Sequence, residues 1–231
     1  MRNKIILLGI FISFSLFLSN VYGESILITS SGVTDKIIFD GRWTDEYEWK
    51  ESSYNKIDFD DNTNIILRSA HQGNFIYVQI NAKTDFILDK GSDNAIVCFD
   101  TKNDKTILAQ KDDYCFSTTL NGKNSFTYQG GSPFALSGNF EKIPNHKGFV
   151  AIGSTSGKYD RYSIYQHPVY EFKIPLDVLG RSDNYGFYFS TFNANSYNTY
   201  SWPPQIQTKN FMTIPSPSQW GDLISPDKSL S

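Results

Sequence analysis

Apolar and polar side chains alternate with a period of two along most of the chain, and no segment keeps apolar residues at helical spacing for three turns. The pattern predicts β structure. In Phe75-Ile76-Tyr77-Val78-Gln79-Ile80 it puts Ile76, Val78 and Ile80 on one face and Phe75, Tyr77 and Gln79 on the other. Both faces are partly apolar, as in a central strand. The run 65–70 precedes it across His71-Gln72-Gly73-Asn74, whose composition is that of a hairpin turn, so these two strands are expected to pair antiparallel.

Further strands are predicted at 37–39, 95–99, 114–120, 124–128, 149–154, 169–174 and 185–192, separated by clusters of Gly, Asn, Asp and Ser. Many short strands with such punctuation describe an all-β sandwich or barrel. Aromatic residues make up 16% of the chain, which favours this assignment because rings pack well on pleated surfaces. Pro175-Leu176-Asp177-Val178-Leu179-Gly180 reads as one helical turn, opened by proline and ended by glycine. The proline-bearing stretch 196–220 is expected to be an ordered loop over a sheet edge that ends in a short strand.

The first residues change the picture of where the protein works. Arg2 and Lys4 lead into an apolar run over 5–18, and Val21-Tyr22-Gly23 supplies a signal-peptidase site, so 1–23 is expected to be a secretory signal and 24–231 one mature domain. Ser13, Ser15, Ser19 and Asn20 leave the run shorter than the roughly 20 residues a membrane anchor needs. The formal charge of −3 becomes −5 without that segment, which argues against nucleic acid as a partner. Cys98 and Cys115 are the only cysteines, and both fall on predicted strands joined by a turn-rich segment. One disulfide between them is compatible with export; two buried thiols are the alternative.

Several segments in order resemble the family 9 carbohydrate-binding modules and their DOMON-like sandwich relatives. They are Phe39-Asp40-Gly41 with Thr44-Asp45-Glu46 and Trp49, the strand after Asn74, and Ser92-Asp93-Asn94-Ala95 leading to Asp100. Tyr170-Glu171-Phe172-Lys173-Ile174-Pro175-Leu176, Trp202-Pro203 and Trp220-Gly221 follow. The resemblance implies an immunoglobulin-like antiparallel β-sandwich of jelly-roll type, extracellular sugar binding and structural calcium. Related sandwiches also hold haem, so chemistry has to decide between them.

Sugar sites set exposed rings against the C–H face of a pyranose, with amides and carboxylates on its hydroxyls. Trp202, with Tyr197 and Tyr200 just before it, is the first candidate, and Trp43 the second; the bland reading of either indole is a cover for the sandwich edge. Trp49 and Trp220 read as core or edge-covering residues. Oxygen ligands for calcium are offered by Asp93, Asp100, Asn103, Asp104 and Asp113, with Asp112 alongside, although turn-forming residues with solvated carboxylates would look the same. Haem would have to use His71, His146, His167 or Met212, which sit in polar or proline-flanked sequence, so it is not expected. Gly153-Ser154-Thr155-Ser156-Gly157 lacks the serine centre and helix of a nucleophile elbow and reads as a loop. The sequence therefore predicts a monomeric, non-catalytic carbohydrate binder. A cell-envelope adhesion module, a haem-binding sandwich and a component of a glycoside-hydrolase system remain as alternatives.

Overall fold

A computed structural model describes residues 24–45, 47–122, 124–133, 138–206 and 213–231; the leader expected at 1–23 and the candidate Met212 lie outside these. Two short strands, β1 (Ser25–Leu27) and β2 (Thr29–Ser30), precede the run β3 (Asn55–Asp58), β4 (Asn64–Gln72) and β5 (Phe75–Asn81). A second run follows, with β6 (Asn94–Asp100), β7 (Asp113–Thr119), β8 (Ser125–Gln129) and β9 (Glu141–Ile143). The chain closes with β10 (Val150–Thr155), β11 (Pro168–Pro175), the single turn α1 (Leu176–Leu179), β12 (Asn184–Asn193), β13 (Asn198–Trp202) and β14 (Gly221–Ile224).

These strands form two facing sheets. One has the order β1-β14-β12-β6-β7-β8-β9, with β13 pairing the far half of β12; the other has the order β10-β11-β5-β4-β2, with β3 also on β4. Pairing is antiparallel except where β1 meets β14 and β2 meets β4, which are parallel. The inner faces follow the alternation read from sequence: Ile76, Val78 and Ile80 of one sheet join Val97, Phe99, Phe187 and Phe189 of the other in a single core. Cys98 lies directly opposite Cys115, and the two are joined as a disulfide.

Two local readings need correction. Residues 37–39 are not a strand: the chain there crosses the outside of the β10-β11-β5-β4 sheet, and the Ile38 N–H donates to the Glu48 carboxylate at 2.8 Å instead of to a ladder. Within 196–220, residues Asn198–Trp202 are a strand, because the prolines begin only at 203 and leave those N–H groups free to pair with β12.

The outer faces are apolar as well, and each is covered. Trp43, Trp49 and Ile37 pack on Tyr77 outside one sheet. Phe140, Ile206, Ile214 and Trp220 cover Cys98, Cys115 and Tyr188 outside the other. The first cover is fastened by a buried carboxyl. Trp49 Nε1–H donates to Glu171 Oε1 at 2.9 Å, and Gly41 N–H donates to Glu171 Oε2 at 2.8 Å. Gly41 is required twice over, since its φ is +69° and a Cβ there would sit 2.5 Å from the Cβ of Ser154 on β10. The separated sequence pieces Asp40-Gly41, Trp49 and Tyr170-Glu171 thus meet at one point.

Burial, reinforced by the nearby Glu48 carboxyl, raises the Glu171 pKa to about 8. That lies above the roughly 4.3 of an unfolded glutamate, so its stabilising contribution is complete below the unfolded value and disappears as pH rises through about 8. Urea denaturation between pH 5 and pH 8.5 should therefore show stability falling by a few kcal/mol, at about 1.4 kcal/mol per pKa unit. Glu171→Gln should remove its share of that slope and leave the part owed to Asp85 and Asp113, whose carboxyls burial pushes up to about 7; an unchanged slope would mean that Glu171 does not titrate in this range.

Candidate functional site

At one end of the sandwich the β3–β4 turn and the β12–β13 hairpin enclose a groove of about 340 Å³. Asp58, Asp60 and Asp61 line one wall, and Tyr197, Asn198 and Tyr200 the other. Strand pairing positions Tyr200, which lies opposite Thr191 on β12. Its ring meets Phe59 edge-on, with centroids 5.2 Å apart. The Tyr200 hydroxyl donates to Asp61 Oδ2 at 2.7 Å and accepts from Asn198 Nδ2 at 3.3 Å. Desolvation alone would raise the Asp61 carboxyl, but the hydrogen bonds from Tyr200 and Thr63 outweigh it and hold it below the usual carboxylate range.

Tyr197 is 76% exposed and has φ +55°, in the left-handed region normally left to Gly, Asn or Asp. Holding a bulky L residue there costs about 1–2 kcal/mol. The Tyr197 ring meets Phe192 edge-on with centroids 6.3 Å apart and otherwise stands in solvent at the mouth of the groove. The groove therefore combines an open ring, a phenol held by a carboxylate, an amide and two further acids, a set that can stack on an apolar face and bond several hydroxyls.

Of the four residues picked from sequence for sugar binding, the structure brings Tyr197 and Tyr200 together in the groove and buries both tryptophans expected to stack. Trp202 is 5% exposed and points into the core against Phe187; Trp43 is 1% exposed beneath Arg161, Arg68 and Tyr162. Trp49 and Trp220 are buried too, as read. The reason is energetic. An indole covering 150–250 Å² at about 25 cal/mol/Å² contributes roughly 4–6 kcal/mol as an upper estimate, well beyond the ~1 kcal/mol of a stacking contact. Asp58, Asp60, Asp61 and Asn198 were missed because acids and amides in turns carry no signal until a ring is seen beside them.

The acidic residues divide between the two ends of β6. Asp100, Asp112 and Asp113 bring ligand oxygens within 4.8 Å of one another. Asp112 Oδ2, Asp113 Oδ1 and the Oδ1 of Asn103 are buried there without a hydrogen-bond partner among the described residues. Gly186, opposite Asp100, leaves this space open: a Cβ would lie 2.7 Å from the Cβ of Asp100 and 3.2 Å from Asn103 Oδ1. Burial, with the charges of Asp100, Asp112 and Asp104 added, pushes Asp113 up to about 7. An all-oxygen set with orphaned acceptors fits a hard divalent cation. Asp93 does not belong to it. It sits at the far end of β6, where its carboxylate accepts from the N–H groups of Asp89 and Ala194. Asp104 is exposed and gives its backbone N–H to Asp100.

His71 and His167 are buried, contrary to the surface placement read from their neighbours. His71 lies within β4 and meets Ser229 Oγ at 3.0 Å, while His167 is closed in where the 156–167 loop returns to the sheet. Ser154 and Thr155 of the serine-rich segment read as a loop are paired in β10. Ser156 Oγ is 3.3 Å from His167 Nδ1, and His167 Nε2 is 3.7 Å from Asp160 Oδ2. All three side chains are sealed from solvent, and they fasten the loop. Among the described residues no helix is long and apolar enough to cross a membrane.

No protein-family model matches the chain, and no curated protein matches it. Two solved structures of a family 9 carbohydrate-binding module from Caldicellulosiruptor kristjanssonii do. The glucose complex has a TM-score of 0.54 at 15% identity, covering 87% of this chain and 95% of that one. The cellotriose complex has a TM-score of 0.54 at 15% identity, covering 90% and 98%. At this identity the likeness is one of architecture: the chain has a family 9 carbohydrate-binding-module-like β-sandwich fold.

Proposed function

We propose that the chain is an exported, non-catalytic carbohydrate-binding module that holds a saccharide in the groove between the 58–61 turn and residues 197–201. The observation that carries the reading is Tyr197, an open ring kept at a strained backbone position beside the Asn198–Tyr200–Asp61 hydrogen-bond chain. The fold supports it, since both similar structures hold a sugar. In this groove Tyr197 would stack on the ring face, while Asn198 and the carboxylates of Asp58 and Asp60 would take hydroxyls. Asp61 would orient the Tyr200 phenol. The leader at 1–23 would deliver the domain outside the cytoplasm.

We further assign calcium to Asp100, Asp112, Asp113 and Asn103. The ion would neutralise three crowded carboxylates and stiffen the β6–β7 connection; it has no part in the groove, which lies towards the other end of β12.

Titration with glucose and cellotriose, followed by calorimetry and supported by a glycan array, tests the binding assignment. Tyr197→Gly should weaken binding by several-fold, the worth of a stacking contact of about 1 kcal/mol. Its Tm should hold or rise, because the backbone strain is relieved. Asp61→Asn should weaken binding by roughly tenfold, as expected for loss of a charged hydrogen bond. A wild-type protein that answers no saccharide would sink the proposal.

Calcium is checked by thermal unfolding. Adding it should raise the Tm of the wild type by mass action on the folded state. Asp113→Asn should remove that response while leaving saccharide binding intact, and a wild-type Tm indifferent to calcium would refute the site.

A further inference from the structure

The groove does not end at Tyr200. The same ring forms one wall of a second, smaller hollow of about 30 Å³, bordered by Thr63, Thr84, Asp85 and Asn193. Thr84 Oγ1 accepts the Asn64 N–H at 3.0 Å, which ties the turn behind β5 to the start of β4 and puts the two hollows on one frame. Directly after Asp85 the chain turns outward and presents Phe86, 55% exposed. Its ring packs edge-on against Tyr165 from the 156–167 loop, with centroids 5.6 Å apart, and Tyr165 is itself 64% exposed. Ile164 stands beside it in solvent.

One end of the sandwich therefore carries an open ring at Tyr197, a strip of hydroxyl, carboxylate and amide groups, and then a second pair of open rings. A protein-binding face would be expected to place its apolar residues in one continuous centre with polar groups around the rim. Here polar groups separate two aromatic stations. That order matches a chain of linked sugars, whose C–H faces offer stacking surface at intervals and whose hydroxyls fill the space between.

We propose that Phe86 and Tyr165 are a second stacking platform for the glycan that enters the Tyr197–Tyr200 groove, so that the ligand is a polysaccharide chain and not a mono- or disaccharide. This rests on the carbohydrate reading of the groove and adds the length of the ligand to it.

Calorimetry on the protein with glucose, cellotriose and cellohexaose provides the test. Affinity should rise by about tenfold or more from cellotriose to cellohexaose, as two stacking contacts would give. In the double variant Phe86→Ala/Tyr165→Ala that gain should be lost while cellotriose binding stays at the wild-type value. Both side chains are largely in solvent, and an unchanged Tm verifies that the fold is intact. Equal affinity for the three- and six-sugar ligands, or a double variant that keeps the gain, overturns the platform and leaves the groove standing. Failure to bind any of the three removes the carbohydrate reading and the platform with it. Concentration-dependent self-association that disappears in the double variant, with cellohexaose binding unaltered, would show a protein contact in place of a glycan one.

Discussion

Each sheet of this sandwich is apolar on both faces, so stacking the two inner faces leaves two outer faces that water would still wet. The chain resolves this by laying its connections across them. Ile37, Trp43 and Trp49 cover one sheet, and Phe140, Ile206, Ile214 and Trp220 cover the other. Burial on this scale outweighs any single polar contact, and the rest of the structure adjusts to it. The covers take up Trp43, Trp49 and Trp220, and Trp202 fills the core. Glu171 is the clearest consequence: once the cover closes over it, its carboxyl must accept from Trp49 and Gly41 in a dry site and keep its proton to a higher pH.

Because faces are covered, recognition is left to the ends. Strands supply rigid ends whose turns are free to vary. β12 serves both ends. Thr191, near its C-terminal end, holds Tyr200 and so frames the groove, while Gly186, near its start, makes room beside Asp100 for the acidic cluster. Those positions are five residues apart on one strand, roughly 17 Å at about 3.3 Å per residue, so the oxygen-rich cluster serves stability at one end while the rings serve binding at the other. The double use of β12 also explains its burial: one edge is paired with β6 from Gly186 to Phe192, and the other is shared between β13 and β14.

Much of the architecture was legible beforehand because a period of two is a local property. The strands β4, β5, β6, β7, β8, β10, β11 and β12 lie where alternation put them, and the single helical turn sits between Pro175 and Gly180. The strands that escaped notice are β1, β2, β3 and β9, two to four residues long and too short for alternation to register, and the five-residue β13, hidden in a stretch that its following prolines made read as a loop. The candidate site was half legible. Tyr197 and Tyr200 were singled out by the company of rings, whereas the wall they face at 58–61 is far away in sequence and ordinary in composition. The acidic cluster was visible as a density of carboxylates, but Asp93 and Asp100 look like neighbours on paper and lie at opposite ends of a strand.

By itself, then, the sequence determined an all-β chain and the placing of Ile76, Val78 and Ile80 on one strand face, because each follows from neighbours a few residues apart; the joining of Cys98 to Cys115 stayed open until the strands were seen opposite each other. Only the tertiary structure decided which aromatic rings face water. Whether an indole is a cover or a platform depends on what lies on its far side: Arg161 and Arg68 sit over Trp43 and Phe187 packs against Trp202, while Tyr197 stands largely in solvent. That difference is set by contacts between segments far apart in the chain, and no local pattern of residues contains it.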